Sequence, residues 1–216
     1  MILKRLKLTS SIDNIVTNCY IINDEETKET MVIDPAGEID NIIGVLNILE
    51  ANLRYIYLTH CHADHIGAVE ELKKQKGGIK LIHKDDYDGL LDPEVNLSGI
   101  MSKRSISIEA DSRVNDGDIL HIGDLEFRVI HTPGHTKGGS SLYCEQEKML
   151  FSGDTLFKGM SGRTDLPTSN FADIINSIST KLLVLPEDTI VYPGHGISTR
   201  LEEEEPIYYN LTSGDD

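Results

Sequence analysis

The stretch THCHADHIG, residues 59–67, places His60, His62, Asp64 and His65 within six positions of a chain that has eight histidines in 216 residues. Packing three imidazoles and a carboxylate so closely with no cation among them is electrostatically and sterically wasteful. Neutral imidazole and carboxylate are, by contrast, the usual ligands of zinc and similar ions. The theme returns far along the chain, where HTPGHT presents His135, FSGDT presents Asp154 and VYPGHG presents His195. Each directly follows a glycine and each closes a strand-like run. Glycine allows the sharp turns that bring main chain and side chain to a shared point. Seven oxygen and nitrogen ligands are too many for one tetrahedral ion, which takes four protein ligands, or three plus water. The pattern therefore asks for a fold in which four strand ends meet, and it fits two metals with Asp154 as the bridge.

Around these points the chain alternates strand and helix signals. LKRLKLT, IVTNCYIIN and ETMVIDP read as strands separated by polar turns. Ile39, Ile42, Ile43, Leu46 and Leu49 recur at helical spacing, and RYIYLTH is a short buried strand leading into the cluster. A helix is expected from about Asp64 to Lys76, closed by Gly77-Gly78, followed by the strand IKLIH. Residues 92–118 are polar and turn-rich, and read as a surface connection. ILHIG, LEFRVIHT, SSLYCEQ and KMLFSGD form a second series of strands. SNFADIINSISTKLL reads as a helix capped by Ser169 or Asn170, with Phe171, Ile174, Ile175, Ile178 and Leu182 on one face. DTIVYPGH is a last strand. Two runs of strands, each closing with a helix, predict an α/β protein of two similar halves packed sheet to sheet. With no linker between them, residues 1–216 read as a single domain.

Composition narrows the function. A hydrophobic content of 39% suits a sizeable core, and a formal charge of −16 repels nucleic acid, whose binding relies on basic side chains. No apolar run approaches the roughly 18 residues of a membrane helix. MILKRLKLTS has no apolar block of the signal-peptide kind, so a cytoplasmic protein with a small-molecule substrate and no membrane partner is expected. Cys19, Cys61 and Cys144 form no CxxC pair and are too few for a disulfide framework. The stretch from about 202 to 216, rich in glutamate, reads as an acidic, solvated tail.

The pattern H-x-H-x-D-H, then TPGHT, GDT and PGH in that order, resembles the metallo-β-lactamase-fold hydrolases, and most of all their glyoxalase II (hydroxyacylglutathione hydrolase) branch. The likeness runs from VIDP at 32–35 to YPGHG at 192–196. It implies a four-layer αββα sandwich with a metal groove along the sheet edges. It also implies two divalent ions per chain, zinc or a mixture with iron or manganese. His60, His62 and His135 would hold the first metal, and Asp64, His65 and His195 the second, with Asp154 bridging. Asp34 matches an aspartate that braces the metal loop. Asp64 would orient the nucleophile and accept its proton, which makes it the catalytic candidate. SGRTDLP matches a segment that contacts the substrate's polar arm, so Arg163 and Lys137 become substrate-binding candidates; Arg163 could equally pair with Asp165.

The implied reaction is hydrolysis of a thioester such as S-acyl glutathione by hydroxide drawn from metal-held water. A relative with much the same ligands, the mononuclear-iron persulfide dioxygenase, is the alternative. The lactamase branch of strongest activity has cysteine where this chain has Asp154, and a non-catalytic metal module would not need all seven ligands. No GxSxG motif offers a rival nucleophile. The short stretch after His195 cannot build the helical domain of glyoxalase II proper, so a reduced recognition surface is expected. His83, His121 and His131 read as structural or exposed, and Cys61 as turned away from the metals into packing.

Overall fold

The computed structural model describes residues 1–10, 15–101 and 105–212. The first sheet holds β1 (Ile2–Thr9), β2 (Val16–Asn23), β3 (Glu29–Ile33), β4 (Asn52–Leu58), β5 (Ile79–His83) and β6 (Ser112–Val114), in that spatial order. β1 to β3 pair antiparallel, and β3 to β6 are parallel. α1 (Ile39–Ile48) forms the crossover from β3 to β4; α2 (Ala63–Ile66) and α3 (Val69–Lys76) form the one from β4 to β5. α4 (Tyr87–Leu91) and α5 (Ser98–Met101) follow β5.

The second sheet repeats this logic. β7 (Ile119–Ile122), β8 (Leu125–His131), β9 (Ser140–Cys144) and β10 (Met149–Gly153) run antiparallel. A small hairpin, β11 (Leu156–Phe157) and β12 (Met160–Ser161), and α6 (Phe171–Ser177) then lead to β13 (Ile190–Pro193), which pairs parallel to β10. β14 (Thr199–Arg200) closes the edge, and α7 (Leu201–Thr212) ends the described chain.

Strand periodicity builds the layers. Alternate residues of β2 serve two interiors: Cys19 and Ile21 join Ile42, Leu46, Val69 and Leu72 of the helices, while Tyr20 and Ile22 join Phe127, Leu142 and Phe151 of the other sheet. Beyond the second sheet, Tyr143, Leu150 and Val191 meet Ile174, Ile178, Leu201 and Tyr208. The outcome is the expected helix–sheet–sheet–helix sandwich with three buried seams. No helix among the described residues is long and apolar enough to cross a membrane, and Cys19, Cys61 and Cys144 are buried free thiols.

Four local expectations need correction. The helix expected over 64–76 is broken: Ala68 donates its N–H to Pro35 O at 2.9 Å, which pulls the backbone out of register between α2 and α3. The surface connection over 92–118 contains α5 and β6, and β6 extends the first sheet beside β5; residues 102–104 lie outside the described set. Asn170, whose Oδ1 accepts the Asp173 N–H at 3.1 Å, caps α6, but Phe171 is 61% exposed and the helix widens into a π-type turn over Ile178–Leu182. The acidic tail is not simply solvated. It forms α7, which buries Leu201, Glu204 and Tyr208; residues 213–216 lie outside the described set.

Candidate metal centre

Four strand ends converge where the two sheets meet. β4 delivers His60, His62, Asp64 and His65, β8 leads into His135, β10 into Asp154 and β13 into His195. Two glycines make the approach possible. Gly153 turns the chain at φ +51°, and a Cβ on Gly194 would lie 2.2 Å from Asp154 Oδ1.

Six of the seven residues form two triads, and Asp154 lies between them. His60, His62 and His135 bring their ligand atoms within 4.8 Å of one another, as do Asp64, His65 and His195. In the first, His62 Nδ1 lies 2.9 Å from His135 Nε2. In the second, His195 Nε2 is 3.2 Å from Asp64 Oδ2 and 3.2 Å from His65 Nε2. Asp154 faces both: Oδ2 lies 3.5 Å from His135 Nε2 and 3.3 Å from His195 Nε2, and Oδ1 lies 3.4 Å from His65 Nε2.

The surroundings decide which ring nitrogen points inward. Nδ1 of His135 donates to Arg163 O and Nδ1 of His195 to Val16 O, each at 2.9 Å. His65 Nδ1 lies 2.9 Å from Asp34 Oδ2, and His60 Nδ1 lies 3.0 Å from Thr59 Oγ1. Each bond leaves the Nε2 lone pair for the centre, the usual arrangement behind a metal-binding imidazole. Asp34, held in the left-handed region at φ 51°, also accepts the Thr59 N–H and hydroxyl at 2.8 and 2.7 Å.

Electrostatics fit a cation. Burial, followed by the neighbouring His65 and His62, holds His60 well below the ordinary imidazole range; burial and then His135 hold His62 down to about 3. Both are therefore neutral, as ligands must be. Burial opposes charge on His65 as well, but Asp154, Asp64 and Asp34 outweigh it and push that ring up to about 9. Burial opposes charge on His195 too, but Asp154's charge and the hydrogen bonds His195 donates to the Asp154 and Asp64 carboxylates push it up to about 11. The acidic side of the centre thus demands positive charge. On the centre itself, His60 Nε2 and Asp154 Oδ1 are buried without a hydrogen-bond partner, while His62 turns Nδ1 inward. Such orphaned atoms each cost about 1–3 kcal/mol unless something pairs with them, and an imidazole–carboxylate set of this kind suits divalent ions.

Above the centre lies a cleft of about 410 Å³, into which Asp64, His195 and Arg163 face. Arg163 does pair with Asp165, with both contacts short at 2.6 and 2.7 Å. Lys137 is exposed and is not among the residues lining the cleft. Cys61 packs into the helix-side interior, His121 is exposed, and His83 stacks on His131 at 4.0 Å.

Asp86 was not singled out from the sequence. It is buried and accepts the Cys61 N–H at 3.0 Å, the Thr136 hydroxyl at 2.7 Å and the Gly138 N–H at 2.7 Å. One carboxylate therefore clips the His60–His62 segment to the loop carrying His135. Its neighbours Asp85 and Asp88 offer the same residue type, so nothing in the sequence marks it out.

The description "Metallo-beta-lactamase superfamily" matches residues 12–195. The hydroxyacylglutathione hydrolase GloC of Haemophilus influenzae is 35% identical over 198 residues, covering 87% of this chain and 89% of that protein. Among solved structures, BLEG-1 B3 metallo-beta-lactamase superposes with a TM-score of 0.88 at 36% identity, covering 98% of this chain and 100% of the other. ETHE1 from Myxococcus xanthus superposes with a TM-score of 0.78 at 28% identity, covering 98% and 92%. A match over most of the length, ending on the last histidine of the centre, agrees with two helix-flanked sheets that bring these ligands together. The chain belongs to the metallo-beta-lactamase superfamily, whose members bind metal ions.

Proposed function

We propose that this protein is a dinuclear metal-dependent hydrolase of thioesters, S-acyl glutathione or a similar ester. The observation that carries the reading is Asp154, whose carboxylate lies within 3.5 Å of ring nitrogens from both triads: Oδ2 beside His135 and His195, Oδ1 beside His65. His60, His62 and His135 are the proposed ligands of one cation, Asp64, His65 and His195 of the other, with Asp154 shared and zinc, iron or manganese as candidates. When bound, two such cations supply a water acidified toward neutrality and a positive field for the developing oxyanion.

The chain's own residues do the rest. Asp64 faces the cleft beside His195, where it would orient the attacking water and take up its proton. Asp34, Thr59 and Asp86 keep the ligand loops in place before substrate arrives. Likeness to GloC supports the thioester. A cytoplasmic location belongs to the same reading, since three buried free thiols suit a reducing compartment.

Likeness to ETHE1 favours a second reading, the persulfide dioxygenase, and likeness to BLEG-1 a lactamase. One metal-saturated preparation separates all three. We expect chelator-sensitive thioester hydrolysis without oxygen uptake, and only weak cleavage of a chromogenic cephalosporin. Stoichiometric oxygen uptake with glutathione persulfide, or cephalosporin turnover above that of any thioester, would overturn the assignment.

A further inference from the structure

The cleft over the centre is walled by apolar side chains from separate segments. Ile15 precedes β2, Leu97 precedes α5, Phe157 and Met160 come from the β11–β12 hairpin, and Leu166 follows the Arg163 segment. Met160 and Ile15 are 60% and 39% exposed, an unusual expense for large apolar groups beside a polar centre. Leu97 is held at φ 68°, a left-handed conformation that a leucine adopts only under tertiary constraint. Strain spent on placing an apolar side chain at the mouth of a site is a sign of use.

Arg163 is the one lysine or arginine among the described residues lining the cleft. Its guanidinium is already taken up by both oxygens of Asp165. A ligand carboxylate in this cleft would therefore lose water to share, with Asp165, a guanidinium whose charge is already offset, in a chain whose formal charge is −16. An uncharged, apolar arm would bury against five hydrophobic side chains instead.

We infer that the substrate arm accepted by this cleft is uncharged and apolar, an alkyl or aryl group, and that the arm of glutathione, with its two carboxylates and one ammonium, is disfavoured. This rests on the hydrolase reading for its chemistry, and on the cleft alone for its binding.

The test uses esters with one acyl group and three thiols: glutathione, N-acetylcysteamine and benzyl mercaptan. With metal-loaded protein, kcat/KM for the benzyl ester should exceed that for the glutathione ester at least tenfold, with N-acetylcysteamine between them. Leu97→Asn, a residue tolerant of the same backbone conformation, should raise KM for the benzyl ester about tenfold while kcat changes little. Asp165→Asn, which frees Arg163, should raise the ratio of glutathione to benzyl turnover at least threefold. Equal or better turnover of the glutathione ester by the unaltered protein would overturn the inference.

A binding arm keeps this separate from the chemistry. The ketone analogues 1-(benzylthio)propan-2-one and S-(2-oxopropyl)glutathione are not hydrolysed, and their binding can be followed by the Met160 methyl resonance, assigned with Met160→Leu. The benzyl ketone should saturate the shift at a tenfold lower concentration. If no thioester is turned over but this preference holds, the hydrolase reading fails and the cleft inference stands. Tighter binding of the glutathione ketone would overturn the inference whatever the turnover.

Discussion

At the scale of single residues, four of the five imidazoles at the candidate metal centre turn Nε2 inward and are held by outward hydrogen bonds from Nδ1. The seven candidate ligands were legible because four of them crowd into six positions and the other three, His135, Asp154 and His195, follow glycines at strand ends. Asp34 was legible through the same likeness. Asp86 was not, because in KDDYD only the fold decides which carboxylate turns inward. Nor was the cleft wall, since Ile15, Leu97 and Phe157 look like ordinary core residues. Asp154→Ala removes the group facing both triads. It should lose one metal and at least a hundredfold in turnover with the fold retained, as metal analysis and kinetics on one sample would report; near-normal turnover would contradict the bridge. Asp86→Asn keeps the volume but weakens the clip between the two ligand loops. Metal affinity should fall about tenfold, within the range for groups behind metal ligands, measured by competition with a chromogenic chelator. An unchanged affinity would make Asp86 a folding residue only.

At the scale of elements, most strands could be read from alternation, while the pieces that depend on distant partners could not. β6 carries too few apolar residues to announce itself and exists because β5 offers a free edge. α7 is acidic, yet Glu204 is buried because the β11–β12 hairpin presents a main-chain N–H to it: Gly159 donates at 2.8 Å and the Thr199 hydroxyl at 2.6 Å. Glu204→Ala strands both donors and should cost about 2 kcal/mol, roughly 4–8 °C in Tm for a domain of this size. Calorimetry would show it, and an unshifted Tm would mean the contact contributes nothing. The same change loosens the hairpin that carries Phe157 and Met160. A second contact joins the sheets, where His83 at the end of β5 stacks on His131 at the end of β8. Burial, then His131, pushes His83 down to about 4 from an ordinary 6.5. Below 6.5 the unfolded chain takes the proton first, so stability is complete above about 6.5 and is lost as the pH falls toward 4. His83→Phe should flatten that part of the pH–stability curve in urea titrations; an unaltered slope would place the pH sensitivity elsewhere.

At the scale of the whole molecule, the two sheets share one interior, and the metal centre sits at the end of that seam, fed by strands from both halves. The sandwich could be read from two strand runs each closed by a helix, because sheet and helix faces must bury against something. Ligands from both halves meet at one point, so bound cations couple the halves and add to stability by mass action. A two-metal centre that hydrolyses thioesters is put to the test by elemental analysis coupled to a thioester assay on one metal-saturated preparation. About two divalent ions per chain are expected, with hydrolysis that disappears on chelation and returns with the second equivalent of metal. A reproducible ratio near one with full activity would contradict the two-metal centre.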